Sequence, residues 1–333
     1  MQKLQKSQRS FVIEVGTSVA ILILALSTHA TAKGLVPGKD VFEMTYEYRI
    51  PALRKGDKFA AWIPLASSDD FQTIERKIES LGLVTNEGKD PDFANSLLHI
   101  EADSDASDKS IKIIYKVIRL EKGAHSIATG TNKDLFLRSE PLVPLTDRFK
   151  KIAAEVIKGK HSTLSKGRAI YDYVLQEMKY DKSGNGWGRG DAVYACDAKT
   201  GNCTDFHALF IALVRSASIP ARFAIGFTIP PQGRAGAIEG YHCWAEFLAD
   251  NQWIPVDISE ASKEPQFKDY YFGHHPANRL QISEGRQLTM VPAAASGPVN
   301  FFVHPFVEIN GKPVKATVGS YSFKRASDPV TKT

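Results

Sequence analysis

Gly201-Asn202-Cys203-Thr204-Asp205-Phe206-His207-Ala208-Leu209-Phe210 is the stretch on which fold and chemistry turn. Asn202 is a strong helix N-cap, and Asp205, three residues on, can reach back to the Asn202 N–H as in a capping box. Phe206, Phe210, Leu213, Val214 and Ala217 then recur at helical spacing, and Ile219-Pro220 ends the run. Cys203 therefore falls in the first turn of a helix with a buried stripe, where unpaired backbone N–H groups and the helix dipole favour a thiolate. Alone, such a cysteine is as readily a small buried residue as a nucleophile.

The rest of the pattern lies downstream. Tyr241 to Leu248 alternates as a strand, with His242, Trp244, Glu246 and Leu248 on one face and Tyr241, Cys243, Ala245 and Phe247 on the other. A turn around Asp250-Asn251 returns the chain through Trp253 to Asp257. Pairing outward from that turn brings His242 within about two residues of Asp257 on the facing strand, within reach on one face. A carboxylate there can hold one imidazole nitrogen and leave the other for a thiol, so Cys203, His242 and Asp257 form the candidate catalytic group. The first oxyanion donor is the Cys203 N–H; Trp187, Tyr194 and Asn202 are candidates for the second.

Outside this stretch the period changes. Phe42, Met44, Tyr46 and Tyr48 alternate with Glu43, Thr45, Glu47 and Arg49, and strand-like runs follow at 58–63, 96–100 and 111–117. Helical spacing appears from Asp147 to Lys158, with Thr146 as cap, and from Ser165 to Met178. A Gly-rich loop at 183–190 precedes the Cys203 helix, and the tail is again strand-like. The expected fold class is α+β. An antiparallel β-sandwich-like domain at 33–145 precedes a core at 146–264, where the nucleophile helix packs on an antiparallel sheet. A β-rich C-terminal extension at 265–333 completes the chain.

The segment from about Ser165 to Ser262 resembles the transglutaminase-like superfamily, whose Cys-His-Asp core is shared with papain-like proteases. The resemblance rests on Gly201, Cys203 and Asp205, on Ile219-Pro220-Ala221-Arg222 and Gly226, on His242, Trp244 and Glu246, and on Trp253, Val256 and Asp257. It implies Cys203 as nucleophile, His242 as general base and then acid, and Asp257 as the orienting acid. The flanks, including 271–276 and Asn278-Arg279, look like those of secreted bacterial members of uncertain activity. The expected function is acyl transfer at amide or peptide bonds, as a peptidase or amidase rather than a cross-linking transferase. The expected partner is a peptide or protein substrate, cell-wall peptide included; no cofactor or metal is expected. The alternative is a non-catalytic peptide- or glycan-binding module on the same fold.

The N-terminus reads as an export signal: Lys3, Lys6 and Arg9, an apolar run from Val15 to Leu26, then Ala30-Thr31-Ala32 with cleavage after Ala32. The run is shorter than the roughly 20 residues that span a bilayer, so residues 1–32 are expected to leave a periplasmic or secreted chain with no membrane span. The formal net charge of +5 falls to +3 without them. Charges are interspersed, with no basic-aromatic strip, which argues against nucleic acid. Cys196, Cys203, His207, His242, Cys243, His274 and His275 supply zinc-type ligands but match no common zinc spacing. In an oxidising compartment the three cysteines allow a Cys196–Cys243 disulfide, three free thiols, or a bond that blocks Cys203; alternation turns Cys243 away from the face of His242.

Overall fold

The structure is a computed structural model that describes residues 38–80, 82–315 and 319–325. The proposed signal and its cleavage point lie outside the described residues. No helix among the described residues is long and apolar enough to cross a membrane.

The centre is an antiparallel five-stranded sheet covered by helices. Its strands are β1 (His125–Ser126), β2 (Ala221–Thr228), β3 (Tyr241–Ala249), β4 (Gln252–Val256) and β5 (Arg279–Glu284), in the order β5-β2-β3-β4-β1. Around it lie α1 (Asp147–Val156), α2 (Thr163–Glu177), α3 (Ala192–Ala198), α4 (Cys203–Ser216) and α5 (Ile258–Lys263). The fold is α+β, with antiparallel sheets.

Expected and observed elements differ in instructive places. Helix α1 begins after Thr146, whose side chain makes no capping bond. Helix α2 starts at Thr163, because Ser162 Oγ accepts from Ser165 N at 3.1 Å. In α4 a one-sided apolar stripe was the expectation, yet every residue from Cys203 to Arg215 is buried. Sheet strands β2 and β3 lie on one side of α4 and the other helices surround the rest, so all its faces exclude water.

The alternating N-terminal segment forms two further antiparallel sheets. Lys39–Arg49 lies between Ser110–Leu120 and Ser320–Arg325, and Phe59–Leu65 lies between Ser96–Ala102 and Phe306–Ile309. The inward faces of both, including Met44, Tyr46, Ile63 and Ile113, share one apolar core with α4 and the central sheet. The tail is therefore not a separate layer. It gives β5 to the central sheet, Phe306–Ile309 and Lys312–Val314 to one outer sheet and Ser320–Arg325 to the other, while His125–Ser126 extends the central sheet from the N-terminal side. Long-range pairing of this kind leaves no mark in local periodicity.

Gly226 shows how tightly β2 and β5 meet. A Cβ there would stand 1.9 Å from the Leu280 carbonyl oxygen, at a point where the register of the two strands shifts. Backbone cannot rotate aside as a side chain can, so Gly226→Ala is expected to lower unfolding free energy by about 3 kcal/mol. Denaturant titration checks this; a loss below about 1 kcal/mol would show that the strands separate easily.

Candidate active site

The first turn of α4 is fixed by its own residues. Asn202 Oδ1 accepts from Thr204 N at 2.9 Å, and Asp205 Oδ2 accepts from Asn202 N at 3.0 Å, completing the expected capping box. The same carboxylate accepts from Gly188 N at 2.7 Å and Gly190 N at 3.0 Å, which ties the Gly-rich loop to the helix start. As the first helical residue, Cys203 keeps a backbone N–H with no intrahelical acceptor.

The hairpin carries the other side chains to it. Asp250 and Asn251 both take positive φ, 51° and 58°, in the tight turn, and the ladder runs from Ala249↔Gln252 to Ala245↔Val256. Asp257 follows directly, diagonal to His242. His242 Nε2 lies 2.7 Å from Asp257 Oδ2, which leaves Nδ1 as the nitrogen for the thiol. Cys243 and His242 are the side chains that act most strongly on the charge of the Cys203 sulfur. Cys203 is 2% exposed, His242 5% and Asp257 0%.

These contacts set the protonation states. The Cys243 thiol, hydrogen-bonding to the Cys203 sulfur, draws the Cys203 pKa well below that of a free thiol against the effect of burial, with His242 adding to it. Burial first, and then the neighbouring Cys203, push Cys243 well above it. Burial opposes charge on His242, yet Asp257 outweighs it and lifts the imidazole from 6.5 to about 9. Asp257 stays well below the usual carboxylate range despite its burial, because His242 and Arg279 favour its anion. Both shifts act toward a charge separation between Cys203 and His242.

Asp257 is held on every side. Its Oδ1 accepts from Ser259 Oγ and Glu260 N, each at 3.0 Å, and its Oδ2 also meets Arg279 Nη2 at 2.7 Å. The Arg279 guanidinium stacks on Trp244 at 5.0 Å. His207 lies one helical turn after Cys203. Its Nε2 takes the Ile258 N–H at 3.2 Å, so Nδ1 carries the proton and donates to the Cys203 carbonyl at 2.8 Å. His207 is thus a neutral brace, and its spacing of four from Cys203 was the signal that could have marked it.

Of the three states left open for the cysteines, the structure has all three free and buried, without the Cys196–Cys243 disulfide. One expectation about them needs correction. Cys243 does not point away from the site: its Sγ lies 3.6 Å from His207 Nδ1 and bonds to Cys203. Alternation itself holds, since Phe247 on the same face meets Phe210 of α4, while His242 and Trp244 meet Asp257 and Arg279. What alternation omits is that the start of α4 abuts the start of β3, where both faces come within reach of Cys203.

The candidates for a second oxyanion donor separate. Asn202 is 5% exposed; its Oδ1 caps α4 and its Nδ2 donates to Tyr241 Oη at 3.2 Å. Tyr194 is half-buried and packs against Gly186 of the loop. Trp187 is also half-buried, with Lys182 Nζ 6.0 Å from its ring centre. Arg222, part-buried, pairs with the buried Glu246 and with Glu284. Among the described residues, no three His, Cys, Asp or Glu side chains are arranged to hold a metal ion.

Residues 150–258, from α1 to the residue after Asp257, match the model of the Transglutaminase-like superfamily. The core is transglutaminase-like. A protein of Haemophilus influenzae described as uncharacterized is 25% identical over 325 residues, which span 83% of this chain and 87% of that one. A crystal structure from Cytophaga hutchinsonii, described as a candidate cysteine protease, superposes with a TM-score of 0.54 at 16% identity. It spans 86% of this chain and 99% of that one. The periplasmic domain of TgpA from Pseudomonas aeruginosa gives a TM-score of 0.36 at 15% identity, over 72% of this chain and 92% of that domain. The transglutaminase-like core thus sits in a fold shared beyond the matched segment.

Proposed function

We propose that this chain is an exported cysteine-nucleophile enzyme that cleaves amide bonds in peptides, cell-wall peptide included. The observation that carries the reading is the relay in the first turn of α4: the Cys203 sulfur on His242, and His242 Nε2 on Asp257 Oδ2 at 2.7 Å. In this reading the Cys203 thiolate attacks the substrate carbonyl carbon, and negative charge develops on its oxygen beside the Cys203 N–H. The imidazolium of His242 then gives its proton to the leaving amine, and the C–N bond breaks to leave a thioester. Neutral His242 next takes a proton from water, whose oxygen attacks the thioester, and the returning proton frees Cys203.

Hydrolysis is favoured over transfer because the Cytophaga structure described as a candidate cysteine protease shares this fold across almost its whole length. Export rests on the charged, apolar and small-residue order of residues 1–32.

The test is alkylation by iodoacetamide at about pH 6, where ordinary thiols are protonated, followed by peptide mapping and a screen of peptides and cell-wall fragments. Cys203 alone among the cysteines is expected to react, and any amide cleavage to require it. A Cys203 that reacts no faster than a free peptide thiol would leave the fold as a binding module.

A further inference from the structure

Arg279 is buried, 1% exposed, and its one ion pair among the described residues is with Asp257, Nη2 to Oδ2 at 2.7 Å. That oxygen is also the one facing His242 Nε2. Among the described residues no group accepts from Arg279 Nε or Nη1, and the guanidinium lies over Trp244 at 5.0 Å. A buried ion pair is a weak way to stabilise a fold, because both charges lose their hydration. Asp257, for its part, is already placed by Ser259 Oγ and the Glu260 N–H.

We propose that Arg279 is a positioning residue of the active site, whose guanidinium cancels the charge of Asp257 so that the Cys203–His242 pair can ionise in a site closed to water. The inference rests on the proposed roles of Cys203, His242 and Asp257. With Arg279 present, the four groups sum to zero both as thiol with neutral imidazole and as thiolate with imidazolium. Moving the proton from sulfur to Nδ1 changes no net charge with or without Arg279; what Arg279 cancels is the standing charge of Asp257. Without Arg279 the group carries one uncompensated negative charge in either state, and a buried unpaired charge is neutralised by taking a proton. Asp257 is where that proton goes, and a neutral Asp257 no longer supports an imidazolium.

No neighbour replaces Arg279. Lys263 is committed to Glu260 at 2.7 Å, and Glu260 approaches His242 Nε2 at 3.8 Å. Lys122 and Arg222 are committed to Glu246, and Arg119 bonds Gln72 Oε1 at 3.2 Å. His207 is held neutral by the Ile258 N–H. His275 lies across Trp244, at 5.7 Å between rings, with Nε2 on the Val256 carbonyl at 3.2 Å.

The experiment measures the iodoacetamide rate of Cys203 across pH in the full chain, with circular dichroism as a check on folding. Arg279→Gln is expected to slow Cys203 at about pH 6 by about tenfold or more, and Arg279→Lys to recover most of the rate because it keeps the charge. The decisive comparison is made in an Asp257→Asn background, which is itself slow because a neutral residue 257 does not support the imidazolium. There Arg279→Gln is expected to change the rate by less than about threefold, since no charge is left for the guanidinium to cancel, whereas a packing role would lower the rate by the same factor as in wild type. If Arg279→Gln alone fails to fold, this comparison still decides. An Arg279→Gln protein as reactive as wild type, or a double variant more than about threefold slower than Asp257→Asn or unfolded, overturns it. Those failures are distinct from a wild-type Cys203 that is itself inert at that pH, which overturns the reading of the site.

Discussion

Cys203→Ala is expected to abolish amide cleavage, and His242→Ala to lower it by about 10⁴-fold, because nucleophile and base act as one unit. Stability should separate from activity in the first case. Cys203 gives up a small side chain and one pair of hydrogen bonds, a cost of about 1 kcal/mol. Chemical reactivity should follow the same order without any substrate. At about pH 6 the His242→Ala protein is expected to alkylate at Cys203 about a hundredfold more slowly, since a buried thiol without its imidazolium stays protonated. A His242→Ala protein that alkylates at the wild-type rate would mean that Cys243 alone sustains the thiolate.

The pH dependence follows from the same groups. His242 is raised from 6.5 to about 9, with Asp257 overcoming the effect of burial, so its contribution to stability is complete below about 6.5 and fades as pH rises through about 9. Alkylation of Cys203 should stay near its plateau from the acid side up to about 9 and change character only above it. Melting curves and alkylation rates taken across that window should bend together, because one proton on His242 governs both.

Local sequence carried the core of this site because each member has a local cause. Asn202 and Asp205 start α4 one residue before and two after Cys203, and the Asp250-Asn251 turn sets the register that brings Asp257 diagonal to His242. What stayed hidden depends on contacts between distant segments. Arg279 reaches Asp257 only because β5 joins β2 in the central sheet, and Cys243 reaches Cys203 only because α4 begins where β3 begins. Sandwich-like alternation was visible at 42–49, but not that its partner strand would come from 320–325.

Glu246→Ala is expected to be the most destabilising single change in the core, by about 3–5 kcal/mol. Glu246 is 1% exposed, on the same face of β3 as His242 and Trp244. Its Oε1 pairs with Lys122 Nζ at 2.5 Å, itself 3% exposed, and its Oε2 pairs with Arg222, whose guanidinium stacks on Trp253 at 4.3 Å. Burial alone would raise the Glu246 carboxyl, but Arg222 and then Lys122 hold it well below the usual range. A depressed carboxylate contributes above its ordinary value of 4.5 and loses that contribution as pH falls. Removing it strands the buried Lys122 and leaves Arg222 with Glu284 alone, which is costlier than the pair is valuable. Lys122 comes from the N-terminal region, Arg222 from β2 and the adjoining Glu284 from β5, so the loss falls where separate segments meet. Glu246→Gln keeps an acceptor for both cations and should cost less than Glu246→Ala. Urea midpoints of the two variants and of wild type, measured at neutral pH and below 4.5, check this: the advantage of wild type over Glu246→Gln should hold down to 4.5 and shrink only below it. A Glu246→Ala midpoint equal to wild type would show that Lys122 and Arg222 find water instead.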